Sequence, residues 1–487
     1  MRRRTFLTAA AAGAVATAPS SLTACSQARS KRHPAPTPPP SPDAVPSAFA
    51  DRPTWPTAEN DTTLTAARDR YLCGGAVIDE ARRIFTEGWC PVVVDVSTLT
   101  TRAVLLDKDG AWITKEVEMV FRYDEGDDPK TALTTIVIGP ALLDEEHAYL
   151  VVGAITLSEP DPNGVVHYGP PDGATCPVAM FKIRLSDGAI AASTTVSDQL
   201  PAESIEDMHL SFSTDAASLL LAAGTGDASA ETDHVGLRLS AEDLSIQLDV
   251  RSVLEGKRAD STSCGQAVGV TYANTPGHLI VFLADGSQEP ADDIGTIMVR
   301  DGWYYYEERD ETSSRGYARD LGSGQTVELS PGWEKDITLG SWPSIASDQQ
   351  EIIALDRTGS HTGTLTVRNP GAPSIIALGQ NRVEGAGILG DVLYTSYDPD
   401  GSDSTSTDHL VLTSVSTGET ITERDEEMGL SGRAVVTPWG LADYDSFYAA
   451  TEWLDSVPTP ASSNSSPSSP VTPTAPRPTP TTGTGPS

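Results

Sequence analysis

The chain has 487 residues and a formal net charge of −35, from 68 acidic and 33 basic residues. This charge argues against nucleic acid and anionic lipid surfaces as partners of the folded part, because phosphate binding needs clustered Lys and Arg. It is typical of an exported domain that meets cations, sugars, peptides or cationic proteins.

The N-terminus carries two export motifs. Arg3 and Arg4, followed by Thr-Phe-Leu and a weakly apolar Ala-rich stretch, resemble a twin-arginine signal. Leu22-Thr23-Ala24-Cys25 resembles the lipobox of bacterial lipoproteins. That resemblance implies cleavage after residue 24, a diacylglycerol on the Cys25 thiol, and a position on the extracytoplasmic face of the cell membrane. An ordinary signal peptide with a chance Cys is the alternative.

Both ends differ in composition from the middle. Residues 25–58 are Pro- and Ser-rich, which predicts a semi-extended linker from the lipid anchor. Residues 456–487 are nearly all Ser, Thr, Pro, Gly, Asn and Ala, which predicts a disordered tail, with an O-glycosylated stalk as the alternative. Residues 59–455 are the predicted domain. Within it, the spacing of Leu64, Ala67 and Tyr71 predicts one helix over 61–70.

A repeated unit of short strands fills the middle. Apolar runs end at Gly, Asp, Asn or Pro, and strand pairs joined by tight turns recur along the chain. Turns near Gly324, Gly371 and Gly418 are 47 residues apart. Strands at this spacing predict an all-β fold, a single β-propeller. We place its units near 91–118, 132–196, 207–250, 264–290, 294–329, 341–378 and 385–423.

These units predict about seven blades, and six or eight remain open. The two strands expected in 433–453 should pair with the 91–118 region, completing one blade and closing the ring. Two stacked β-sandwiches are the structural alternative. The pattern resembles bacterial propeller lipoproteins over the whole middle of the chain, without a motif of any particular propeller subfamily.

Four cysteines follow Cys25, and an even number in an exported domain predicts two disulfides. Of the three possible connectivities we favour Cys73–Cys90, which closes a short loop, together with Cys176–Cys264. Free buried thiols are the alternative.

Three further features are candidate sites. Asp398, Asp400 and Asp403 form an oxygen-rich loop that suits calcium, with a solvated acidic loop as the alternative. Trp303 and Tyr305 face the same side of a predicted strand and could stack on a sugar, whereas packing between blades is the alternative. His209 lies on a strand expected to line the central channel. Gly385–Gly390 matches a dinucleotide-binding spacing but lacks the following helix.

Two classes of function remain. The first is a lipid-anchored, non-catalytic module that binds an envelope protein, a peptide or a glycan. The second is an exported hydrolase or lyase that uses carboxylates at the channel mouth on an envelope or extracellular polymer. We favour the first, because no acid/base pair can be named from the sequence. No resident cofactor is expected apart from calcium at the 398–403 loop.

Overall fold

The structure is a computed structural model that describes residues 40, 44–50 and most of 62–452. Within the last range it leaves out 79, 86–87, 99, 118–133, 157–173, 203–204, 206–207, 224–234, 254–264, 272–277, 291–293, 301, 310–313, 329–350, 359–361, 369–372, 378–381, 399–407, 427–433 and 444–445. Helix in the described residues consists of a 3-10 turn at Ala81–Arg83, a single α-helical turn at Val250–Val253 and the helical residue Ile205.

The described strands form eight antiparallel sheets, here called blades 1 to 8 in chain order. Blade 1 contains β1 (Thr62–Arg68), β2 (Tyr71–Val77), β3 (Trp89–Asp95), β4 (Thr100–Leu106) and β5 (Trp112–Val117). Blade 2 contains β6 (Thr134–Leu143), β7 (His147–Thr156), β8 (Thr175–Arg184) and β9 (Ile190–Pro201). Blade 3 contains β10 (His209–Phe212), β11 (Ser218–Ala223), β12 (Val235–Ser240) and β13 (Ile246–Asp249).

The second half repeats this arrangement. Blade 4 contains β14 (Ala267–Thr271), β15 (His278–Phe282) and β16 (Gln288–Pro290), and blade 5 contains β17 (Ile294–Arg300), β18 (Trp303–Arg309), β19 (Ser314–Asp320) and β20 (Thr326–Glu328). Blade 6 contains β21 (Glu351–Thr358), β22 (Thr362–Arg368) and β23 (Pro373–Ala377). Blade 7 contains β24 (Arg382–Leu389), β25 (Val392–Asp398), β26 (Asp408–Ser414) and β27 (Thr420–Glu426), and blade 8 contains β28 (Ala434–Thr437), β29 (Gly440–Asp443) and β30 (Ser446–Ala449).

The blades form a closed propeller ring. Strand β6 packs against β1 and β10, and β11 packs against β14. On the other side of the ring, β24 packs against β28, and β28 packs against β1, so that the last blade meets the first. The predicted all-β propeller is therefore confirmed, with eight sheets in the described residues at the upper end of the expected six to eight.

Burial follows the position of a strand within its blade. The second strand of blade 3, β11, is buried at all six positions, since neighbouring blades cover both of its faces. The outermost strands β5 and β13 have no buried position, and half of the positions in each are exposed. A continuous apolar run therefore marks an inner strand and a polar run marks an outer one.

The ring closes through its N- and C-terminal strands, as predicted, but through a different N-terminal segment. Phe49 forms a β-bridge with Ala450, beside β30. The predicted partner of blade 8, the 91–118 region, instead belongs to the five-stranded sheet of blade 1. Phe49, within the predicted linker over 25–58, is buried in the ring, whereas residues 51–58 lie outside the described residues.

A five-residue turn recurs just before the last strand of blades 2, 3, 4, 5 and 7. It spans 184–188, 240–244, 282–286, 320–324 and 414–418. In each, the fifth N–H donates to the first carbonyl at 2.7–2.9 Å. The fifth residue has a positive φ, as at Gly188 (75°) and Gly324 (74°), a conformation that glycine adopts without strain. The turns end at unequal intervals, so the 47-residue spacing of the C-terminal half is not kept in the N-terminal half.

The predicted helix over 61–70 is wrong. Residues Thr62–Arg68 form β1, and the chain turns at Asp69 and Arg70 into β2. Leu64, Ala66 and Ala67 are all buried, with a β-bulge between Leu64 and Ala66. The bulge shifts the alternation by one residue, and this shift produces the helix-like spacing.

Candidate functional site

The turns at one end of the blades form a continuous surface, here called the turn face. It comprises turns between first and second strands, the turn between β3 and β4, and the five-residue turns that precede the last strands. Main-chain hydrogen bonds join turns of the first kind to the others in the described part of several blades. Examples are Leu185 N–H to Glu146 O (2.8 Å), Ala241 N–H to Ala217 O (3.0 Å), Leu321 N–H to Gly302 O (2.8 Å) and Val415 N–H to Asp391 O (2.8 Å).

Carboxylates dominate the turn face. They are Asp69, Asp95, Asp144, Glu145, Glu146, Asp187, Asp215, Glu242, Asp243, Asp285, Asp320 and Asp391, and the basic residues in the same turns are Arg70 and Arg184. Both arginines pair with carboxylates of this face, Arg70 with Asp95 (3.4 Å) and Arg184 with Asp187 (2.7 Å). The face is therefore strongly negative.

Most of these aspartates are fixed by their own turns. The carboxylate accepts the N–H two residues further along, in the pairs Asp187–Ala189 (3.0 Å), Asp215–Ala217 (3.0 Å), Asp243–Ser245 (3.1 Å), Asp285–Ser287 (2.9 Å) and Asp320–Gly322 (2.9 Å). This contact is an Asx-turn, which explains the acidic residue at the turn.

The same contacts keep several of these groups ionised. The Ala189 N–H lowers the pKa of Asp187, and serine hydroxyls from Ser213, Ser245 and Ser323 lower those of Asp215, Asp243 and Asp320. A hydrogen bond to the charged form stabilises that form. The turn face thus presents fixed negative charge at neutral pH.

Cations from one blade hold the five-residue turn of the next. Lys182 of β8 donates to Ala241 O (2.8 Å) and Glu242 O (3.0 Å) in blade 3. Arg238, at the equivalent position of β12, donates to Ala284 O in blade 4. In blade 1, Arg102 of β4 donates to Leu185 O (3.1 Å). Because each cation contacts main-chain oxygens, these ties do not use the carboxylates of the turns.

Lys182 lies beside Tyr149 and Asp144, and residues of these three types often act in catalysis. Tyr149 donates to Asp144 Oδ2 (2.7 Å), and Lys182 Nζ lies 5.8 Å from the centre of the Tyr149 ring. Burial, followed by the Asp144 contact, raises the pKa of Tyr149. Burial alone would raise the pKa of Asp144, but hydrogen bonds from Tyr149 and the main chain of Glu146 and His147 outweigh it and lower that pKa.

These pKa directions are the opposite of those needed for acid/base work at neutral pH, where the acid's pKa must fall toward 7 or the base's must rise toward it. The Tyr149 hydroxyl also lies 3.2 Å from Ala241 O in the next blade. The group therefore fastens blade 2 to blade 3.

The predicted sugar platform at Trp303 and Tyr305 is wrong. Trp303 is 6% exposed and Tyr305 is fully buried, so neither ring offers a face to solvent. The packing alternative is confirmed. On the opposite face of this strand the half-buried Tyr306 stacks on the buried Tyr304, with ring centres 4.9 Å apart.

The predicted Cys73–Cys90 disulfide is also wrong. Both thiols are free and buried. Cys73 pairs with Val93 across β2 and β3, whereas Cys90 pairs with Ala76, which places the two cysteines three residues apart in register. At about 3.3 Å per residue their Cα atoms are separated by more than the roughly 7 Å limit for a disulfide.

Of the other predicted pair, Cys176–Cys264, the structure describes only Cys176. Cys176 is a free, buried thiol, and burial raises its pKa to about 11. Cys264 lies outside the described residues.

The remaining predicted sites lie mostly outside the described part of the chain. Arg3, Arg4, Cys25, Asp400 and Asp403 are not in the described residues, and of the calcium loop only the main chain of Asp398 is described, at the end of β25. The described residues contain no group of three His, Cys, Asp or Glu side chains that could hold a metal ion.

Two other sequence features take ordinary places in the fold. His209 lies on β10, the first strand of blade 3, and is 7% exposed. Gly385–Gly390 falls on β24 and the turn after it, so its glycine spacing does not open a helix. No helix in the described residues has the length and apolar character needed to cross a bilayer.

Sequence reasoning missed the turn face. Its signal was present as an acidic residue in one strand turn after another, but the residues were read as turn formers alone. Their shared location becomes visible only when the blades are assembled.

No protein-family model matches this chain, and no curated protein matches it. Solved structures resemble it at low identity. The computationally designed Ika8 protein is 9% identical, with 84% of this chain and 99% of that chain covered and a TM-score of 0.37. BamB from Moraxella catarrhalis is 11% identical (74% and 90% covered, TM-score 0.31). The β-propeller domain of the Trilobed protease from Pyrococcus furiosus is 8% identical (75% and 97% covered, TM-score 0.33).

Proposed function

We propose that this protein is a membrane-tethered β-propeller that binds a cationic protein or peptide on its turn face, without catalysis of its own. The observation that carries the proposal is the row of turn carboxylates, several of them held ionised by their own turns. Fixed charges of one sign attract an oppositely charged partner and orient it before contact.

The blade-to-blade ties support a binding role. Lys182 and Arg238 fix the turns of neighbouring blades relative to each other. Charges held on rigid turns lose little conformational freedom when a partner docks, so more of the interaction energy appears as affinity.

The proposal places the turn face outside the cytoplasm. The twin-arginine motif at Arg3 and Arg4 would export the chain, and a diacylglycerol on Cys25 would hold it at the membrane. Cys25→Ser should release the protein from the membrane fraction, and Arg3→Lys with Arg4→Lys should block export. A Cys25→Ser protein that stays in the membrane fraction would contradict the lipid anchor.

The docking proposal is tested with a fluorescent decalysine peptide at 50 and 150 mM NaCl. Glu146→Gln with Glu242→Gln removes two exposed turn-face charges that hold no turn. Asp198→Asn with Glu328→Gln removes two exposed charges on the outer strands β9 and β20. Exposed ion pairs contribute about 0.2–1 kcal/mol each.

We expect the turn-face pair to weaken peptide binding about fivefold at 50 mM NaCl, with a smaller effect at 150 mM because salt screens exposed charges. The outer-strand pair should leave binding nearly unchanged. Equal weakening by both pairs would mean that the peptide reads only net charge, and the proposal would fail.

A further inference from the structure

Residues 48–50 lie along the outer edge of blade 8, where they form an isolated β-bridge. Ala50 N–H donates to Ala449 O (2.8 Å), and Thr451 N–H donates to Ala48 O (3.0 Å). These bonds flank the bridge between Phe49 and Ala450. Phe49 is thus paired with Ala450, 401 residues further along the chain.

Pro46, Phe49 and Ala50 are the buried residues of the segment 44–50, and Phe49 has the largest side chain of the three. Phe49 is 2% exposed and packs in a cluster with Leu389, Leu410 and Leu441. Its ring meets Tyr394 edge-on, with centres 6.0 Å apart. The Tyr394 hydroxyl donates to Pro46 O (2.7 Å). Val45, by contrast, is 39% exposed.

These contacts have the form of β-strand addition, in which main-chain hydrogen bonds join an extended peptide to a sheet edge and side-chain pockets give specificity. The main-chain bonds to β30 would form with almost any sequence. The pocket at Tyr394 requires a large apolar ring, and the alanines on either side of Phe49 allow the peptide to lie close to β30.

We propose that the edge of β30 and the Phe49 pocket form an acceptor site for an extended peptide with an aromatic residue between small residues. In this structure the chain's own segment 44–50 occupies the site. The partner is an exposed peptide segment of another protein with the same small–aromatic–small pattern. The site is distinct from the turn face, and the proposal does not depend on the cationic partner.

The chain's own segment competes with any added peptide for the site, and it has the advantage of being covalently attached. A tethered segment acts at an effective concentration on the order of millimolar, so a free peptide must displace it. Weakening the chain's own segment should therefore strengthen binding of a peptide supplied from outside.

The experiment uses a fluorescein-labelled peptide with the sequence of residues 44–50, AVPSAFA, and the full chain. Phe49→Ala should bind this peptide at least about tenfold more tightly than the unmodified protein. Val45→Ala, which changes an exposed side chain of the same segment, is the matched control and should bind like the unmodified protein. The peptide AVPSAAA should bind to none of them.

A second variant tests the site if Phe49→Ala folds poorly. Phe49 and Ala450 form a pair without mutual hydrogen bonds, for which the Cα separation is about 4.5 Å and a disulfide is feasible. Phe49→Cys with Ala450→Cys should exclude AVPSAFA when oxidised and admit it when reduced. Peptide mapping by mass spectrometry confirms which form is present.

The proposal would be overturned if the reduced double variant unfolds cooperatively but fails to bind AVPSAFA, or binds AVPSAAA equally well. It would also be overturned if the reduced variant cannot fold, because an acceptor site has to persist after its own segment leaves.

Discussion

Lys182→Met tests the ties between blades. The side chain is 8% exposed, and its ammonium group donates to two main-chain carbonyls of the blade 3 turn, Ala241 O at 2.8 Å and Glu242 O at 3.0 Å. Methionine keeps the apolar stem in place and removes only the charged donor. The change therefore isolates the tie from the packing.

The expected loss of stability depends on which hydrogen bonds the two carbonyl oxygens retain in the variant. Hydrogen bonds to a charged group contribute about 1.5–3 kcal/mol each. Against this, the exposed turn at Glu242 lets water replace the lysine there, whereas the single Tyr149 hydroxyl proton is already donated to Asp144. The desolvation cost of the ammonium group also disappears in the variant. We expect a net loss of about 2 kcal/mol in the free energy of unfolding.

Chemical denaturation at pH 7 measures this loss. Lys108→Met is the control, since Lys108 is exposed and pairs with the adjacent Asp109, and it should change stability by less than about 0.5 kcal/mol. A Lys182→Met protein within that range of the unmodified protein would refute the argument. Increased stability would show that desolvation of the ammonium outweighs its hydrogen bonds.

Three further predictions follow from the turns, the thiols and the ring closure. Because the pKa of Asp187 is lowered in the fold, its contribution to stability should be complete above the ordinary Asp pKa and be lost on acidification below about pH 4. Asp187→Asn should therefore make the melting temperature depend less steeply on pH in that acidic range. An unchanged slope of melting temperature against pH would contradict this. Dithiothreitol should leave the melting temperature unchanged, because Cys73 and Cys90 are free; a drop on reduction would restore the disulfide. Gly440→Ala should lower the free energy of unfolding by more than about 3 kcal/mol, since an added Cβ would lie 2.2 Å from a main-chain oxygen. Gly418→Ala should lower it by only about 1–2 kcal/mol, because its φ is positive but nothing lies within 4 Å of the added Cβ. Equal losses of the two variants in urea denaturation would contradict this reasoning.

Local sequence was sufficient to predict the strands and turns. The units expected over 207–250, 294–329 and 385–423 match blades 3, 5 and 7, because alternating side chains and Gly or Asp at tight turns are short-range signals. The acidic turn residues were visible for the same reason. Their collection on one face depended on the blades being arranged in a ring.

The surroundings of individual side chains were harder to predict from the sequence. Alternation correctly places Trp303 and Tyr305 on one face of β18, but only the neighbouring strands and blades determine that this face is buried. Cys73 and Cys90 are close in sequence, yet the register of β2 and β3 separates them. A disulfide depends on a distance between two side chains, which sequence separation does not provide.

The sequence by itself determined that this chain is a repeat of short strands that form a propeller, because that pattern is written in neighbouring residues. Only the tertiary structure decided how the ring closes. Residues 44–50 lie in a Pro- and Ser-rich stretch with no strand periodicity, and one buried ring, Phe49, with two main-chain bonds to blade 8 makes them part of the fold. The described contacts that hold this segment in place are with residues about 340 to 400 positions away, so no local preference could have revealed it.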